Sequence, residues 1–109
     1  MQTPAKIAFR HVKHSDAVTA FINEKIKWLE HFSDQIISCD VMIEKPHSHH
    51  RQGNVFHVRI DLRLPRHELV ISKGAENEKA HEDMYVAIQD AFEQAKRGIE
   101  DYVRRQRAR

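Results

Sequence analysis

From Phe56 to Leu64 the chain alternates without a break. Phe56, Val58, Ile60, Leu62 and Leu64 are apolar, and His57, Arg59, Asp61 and Arg63 stand between them. A period of two sends successive side chains to opposite faces of a strand, so this segment predicts a β-strand buried on one face only. The same period runs through Ile37, Cys39, Val41 and Ile43, set against Ser38, Asp40, Met42 and Glu44, and it ends at Pro46. A shorter alternation, Ile7 and Phe9 against Lys6, Ala8 and Arg10, makes residues 5–10 a strand. Pro65-Arg66-His67 is a turn, leading into a further antiparallel strand over residues 68–73. Between the second and third strands, residues 46–54 form a polar hairpin loop too long for a tight turn.

Elsewhere the period changes to that of a helix. Val18, Phe21, Ile22, Ile26, Trp28, Leu29 and Phe32 recur at helical spacing, with Ser15 or Asp16 as cap and Ser33-Asp34 as stop. After a loop over residues 74–81, Asp83 is the expected cap of a final helix with the core stripe Met84, Ile88, Ala91, Ala95, Ile99 and Tyr102. The order is β-α-β-β-β-α, an α+β class. A sheet apolar on one face and two helices each apolar on one side predict a four-stranded sheet with both helices packed on that face, the other face being wet. At 109 residues, 1–109 is a single domain, and the basic end at 96–109 can fray.

Charge changes the picture at that end. From Lys96 onward there are six basic residues (Lys96, Arg97, Arg104, Arg105, Arg107, Arg109) against Glu100 and Asp101, a net +4, so residues 1–95 carry −2. The formal net charge of +2 thus hides a polarised molecule, of the kind an anionic partner such as nucleic acid would meet. On a helical wheel Arg97 and Arg104 fall nearly opposite the core stripe. The alternative is a solvated face, since Glu93–Arg97, Glu100–Arg104 and Asp101–Arg105 all have the favourable i,i+4 order. In the first helix Lys27 lies opposite the apolar arc. Lys25 lies within it, so either its stem snorkels past the core edge or that face is open and presents it to a ligand.

Other chemistry is weaker. His47, His49 and His50 in the loop could chelate metal, but four ligands at defined spacing are missing, so no metal site is expected. A polar loop whose imidazoles gain charge below about pH 6.5 is the plainer reading. The one cysteine, Cys39, sits in an alternating apolar stretch and reads as a buried, inert thiol. No phosphate-binding glycine loop, HExxH or CxxC occurs, and glycine is found only at 53, 74 and 98, so no enzyme and no cofactor are expected. The first residues lack the apolar core of a signal peptide and no run approaches a membrane span, which makes the expected location cytoplasmic, with no membrane or small-molecule partner.

The run Glu82-Asp83-Met84-Tyr85-Val86-Ala87-Ile88, with the order of elements and the helix pattern Ala17-Val18-x-x-Phe21-Ile22-x-x-Lys25-x-x-x-Leu29-Glu30-x-Phe32, resembles the ribosome hibernation-promoting factor family. That family includes ribosome-associated inhibitor A, also called protein Y or sigma-54 modulation protein. The stretch Pro46-His47-x-His49-His50-Arg51-x-Gly53-Asn54-x-x-His57-Val58-Arg59-Ile60-Asp61-Leu62, with His81-Glu82-Asp83, resembles a branch whose members often carry a C-terminal cold-shock domain. The sequence reaches only Arg109, so neither that domain nor the dimerisation domain of long-form factors is expected within it.

The resemblance implies binding to the 30S subunit and its 16S rRNA in the mRNA and tRNA channel, blocking translation by occupancy. It implies rRNA contacts by Lys25 and Arg97, which match basic family positions, with Lys27, Lys96, Arg104, Arg105 and Arg107 beside them and His49, His50 and Arg51 as secondary contacts. Trp28, Gln94 and Asp101 depart from the pattern, standing where lysine is common. The residues alone leave two other classes open. One is a general RNA- or DNA-binding module outside the ribosome, and the other a metal-responsive or interaction domain acting through the histidine loop.

Overall fold

The computed structural model describes residues 1–45, 56–75 and 80–108. Six elements follow in the expected order: β1 (Lys6–Arg10), α1 (Asp16–Glu30), β2 (Ser38–Glu44), β3 (Phe56–Leu64), β4 (His67–Ala75) and α2 (Ala80–Arg107). The strands form one mixed sheet in the order β1-β2-β3-β4. β1 and β2 are parallel and joined through α1, as a parallel pair requires a crossover, while β2–β3 and β3–β4 are antiparallel.

Register aligns the apolar positions into rows. Ile7 pairs with Val41, Val41 with Ile60 and Ile60 with Ile71, so one face carries a continuous band from edge to edge. Val18, Ile22, Ile26 and Leu29 of α1 and Ile88, Ala91, Phe92, Ala95 and Ile99 of α2 bury against that band in one cluster. The opposite face is wet, with Lys6, Arg10, Asp40, Arg59 and Arg63 exposed. Two close approaches set the angle of α2. The Tyr102 hydroxyl donates to the Pro65 carbonyl at 2.9 Å. Gly98 lies over Leu69 so closely that a Cβ there would sit 2.9 Å from a leucine methyl.

Boundaries moved where pairing outweighed local signals. Ser15 caps α1, its Oγ accepting from the Val18 amide at 3.2 Å. α1 ends at Glu30 rather than at Phe32, which belongs to the closing turn. β4 reaches Ala75 because Gly74 and Ala75 pair with His57 and Phe56 of β3. α2 starts at Ala80, so Asp83 lies in its first turn and is not the cap. An acid is favoured in both places by the same unpaired amides, and sequence alone does not separate them. The stripe of α2 also includes Ala87 and Phe92.

Cys39 faces the core and is buried. Burial, reinforced by the charges of Asp40, Asp61 and Glu30, pushes its thiol up to about 12. A raised thiol pKa leaves almost no thiolate near neutrality, and the thiolate is the reactive form. We expect a thiol reagent at pH 8 to modify the native protein about a thousandfold more slowly than the urea-unfolded chain. Comparable rates in the two states would show that Cys39 is accessible.

Candidate nucleic-acid interface

The sheet's open face and the helix layer differ in charge. On the open face Lys6, Arg10, Arg59 and Arg63 are balanced by Asp40, Glu44, Asp61 and Glu68, with Arg10 tied to Glu44 at 3.6 Å. Asp40 and Asp61 stand directly opposite each other on β2 and β3. Glu68 holds its proton above the usual carboxylate range, because it hydrogen-bonds to Asp61 and feels that charge. Such a face has no net attraction for phosphate. From Lys96 to Arg107, α2 sets five cations against two acids, and all of them but Lys96 are exposed.

Between the two helices runs a ridge of half-buried aromatic rings. Phe21 of α1 meets Tyr85 of α2 edge-on at 5.0 Å, and farther along α1 Trp28 meets Phe32 edge-on at 5.0 Å. Two lysines lie over this ridge. Lys25 Nζ is 5.4 Å from the Phe21 ring centre and 5.5 Å from that of Trp28. Lys96 Nζ reaches across from α2, 5.8 Å from Trp28 and 5.2 Å from Phe32. Each ammonium is attracted by the negative ring faces while part of the side chain stays in water. The Lys25 stem passes over the core edge and its ammonium stands over the Phe21 and Trp28 rings. Trp28 is the ring both lysines share.

The remaining sites divide. Lys27 is exposed on the outer side of α1, and Arg97 is exposed on α2. Arg104 is exposed but donates to Asp101 at 2.9 Å, an i,i+3 pair. This corrects the expectation of three i,i+4 pairs. None of the three forms, and among the described residues Arg97 and Arg105 have no carboxylate partner. Arg105 lines a recess beside the β3–β4 turn, and Arg107 lines another beside Phe32 to Gln35. His49, His50 and Arg51, with His47, lie outside the described residues. Among the described residues no three His, Cys, Asp or Glu side chains gather as a metal site would need, and no helix is long and apolar enough to cross a membrane.

Sequence reasoning missed Lys96 on Trp28, since a contact between helices 68 positions apart in sequence has no local signature. It also missed the recess at the β3–β4 turn, where Arg66 and His67 read only as turn residues. The positive φ of Arg66 is the one signal there, and it exists only in three dimensions.

Residues 5–107 match the family model described as sigma 54 modulation protein / S30EA ribosomal protein. No curated protein matches the sequence. Among solved structures, the N-terminal domain of protein Y from Thermus thermophilus superposes with a TM-score of 0.69 at 16% identity, covering 89% of this chain and 94% of that one. A ribosomal subunit interface protein from Coxiella burnetii gives 0.68 at 13% identity, covering 90% and 94%. At these identities the two structures speak for the fold.

Proposed function

We propose, from the premise that this chain belongs to the sigma 54 modulation protein / S30EA ribosomal protein family, that it is a cytoplasmic ribosome-associated inhibitor of translation. In this reading it binds the small subunit in the mRNA and tRNA channel through 16S rRNA and acts by occupancy, as a hibernation or stress factor. The protein Y and subunit interface proteins that share its fold support a ribosomal role. The observation that carries the reading is the helix layer, where Lys25 and Lys96 crown the aromatic ridge and Arg97 has no acidic partner among the described residues.

The physics of such binding is that cations on a rigid scaffold displace counterions from structured RNA, and rings accept unstacked bases. The sheet fixes the spacing of the two helices, so both engage together without an ordering cost. Translation stops because one volume cannot hold both this domain and tRNA with mRNA. No bond is made or broken.

Co-sedimentation with purified small subunits in a sucrose gradient tests the reading. With roughly four to six phosphate contacts, affinity should fall about 10²–10³-fold between 50 and 200 mM salt. Prebound tRNA and mRNA should slow association, and added protein should lower peptide output in a reconstituted translation reaction. Tight subunit binding with unchanged translation and no competition from tRNA would remove the occupancy mechanism. Equal affinity for any RNA of the same length would favour a general RNA-binding module.

A further inference from the structure

The recess beside the β3–β4 turn is used by nothing described so far. It holds about 350 Å³ and is lined by Pro65, Arg66, His67, Tyr102, Arg105 and Gln106. Its wall is built rather than incidental. His67 stacks on Tyr102 with ring centres 5.5 Å apart and planes 20° from parallel. Tyr102 is in turn fixed by two hydrogen bonds, donating to the Pro65 carbonyl and accepting from Gln106 Nε2, both at 2.9 Å. The ring pair therefore locks the end of α2 to the turn, and the one hydroxyl proton of Tyr102 is taken by the Pro65 carbonyl, leaving none to donate to a ligand.

Two guanidiniums border this wall, from different elements. Arg105 comes from the last turns of α2, Arg66 from the turn itself, and among the described residues neither has a carboxylate partner. Arg66 also occupies a costly backbone position. Leu64 and His67 are paired, Pro65 takes the first corner, and Arg66 takes the second at φ 61°. Glycine or asparagine fits that left-handed corner with less strain. An arginine held there spends stability on a side chain the turn does not need, and such outliers gather at ligand sites.

We infer that this recess is an RNA subsite taking one nucleotide, its phosphate on Arg66 and Arg105 and its base against the His67 ring backed by Tyr102. The inference deepens the proposed ribosomal function and rests on the reading of the chain as an RNA binder. Arginine suits the phosphate because its planar fork offers paired donors to two oxygens. The stacked histidine suits an unstacked base, as aromatic platforms do in single-stranded RNA recognition. The volume is at the small end for ligand sites, which fits a single nucleotide. The site extends the basic end of α2 around to the sheet, so an RNA strand leaving the helix layer would meet it next.

Two measurements on the whole chain test this. The first is an NMR titration of the His67 and Tyr102 ring signals with adenosine 5′-monophosphate, adenosine or inorganic phosphate. The nucleotide should shift both rings at roughly millimolar concentration, further than either part alone, and Arg66→Gly should abolish the difference. Because glycine fits the left-handed corner, that variant should melt no lower than the parent. The second is subunit co-sedimentation, where Arg66→Gly should weaken binding about tenfold. Unshifted rings with unchanged sedimentation of Arg66→Gly would overturn the subsite and leave the ribosomal reading standing. Arg66-dependent shifts in a protein that does not sediment with subunits would keep the nucleotide site and sink the ribosomal reading. Shifts reproduced by a polyglutamate peptide at equal charge would overturn the assignment to RNA.

Discussion

Reversing Arg97 and Arg104 to glutamate together should lower affinity for small ribosomal subunits by about a hundredfold or more at low salt, while leaving the melting temperature nearly unchanged. Both side chains are exposed on the side of α2 away from the core, so no packing is lost. Each reversal removes a cation and introduces a charge that repels phosphate. The salt dependence should change too, the slope of log K against log salt becoming shallower by about two. The contributions should be unequal. Among the described residues Arg97 has no acidic partner, whereas Arg104 already spends part of its charge on Asp101. Arg97→Glu alone should therefore cost more than Arg104→Glu alone. A double variant that still sediments like the parent, with the same slope, would remove the helix face from the interface.

The largest effect on stability should come from Phe92→Ala. Phe92 is fully buried at the middle of α2, among Ile88, Ala95, Ile99 and the apolar rows of β3 and β4. Truncating such a ring removes its transfer free energy and leaves a cavity, a loss of about 3–5 kcal/mol. For a domain of this size that is a large share of a total of about 5–15 kcal/mol. The melting temperature should drop by at least about 12 °C. Val86, 56% exposed on the same helix, is the control, and Val86→Ala should shift the melt by only a degree or two. Circular dichroism melts of both variants decide the matter. A Phe92→Ala protein that melts within a few degrees of the parent would mean the site collapses around the gap, or that α2 packs differently.

The sheet was legible in the sequence for a physical reason. Alternation over Phe56 to Leu64 and over Cys39 to Ile43 leaves one register that buries every apolar residue, since a slip of one residue would turn them all to water. The helices were legible in the same way, from Val18 to Leu29 and from Met84 to Tyr102. Solvent exclusion acts on each residue through its own neighbours in sequence, so pattern carries that information. The basic end of α2 and the buried, inert character expected of Cys39 follow from the same local chemistry.

Other features did not follow from the local pattern. Asp83 carries a cap's chemistry, yet α2 begins at Ala80, because carboxylates suit both the cap and the first turn. Arg104 had Glu100 at the favoured spacing and took Asp101 instead. Lys96 and Trp28 meet only because the sheet holds two helices side by side. The recess at Arg66 exists only because Tyr102, 37 residues beyond Pro65, bonds back to its carbonyl. Local pattern determines which face of each element leaves water. Which charges remain unpaired, and which rings they stand beside, depends on packing across the chain, and the binding chemistry proposed above rests on that second set.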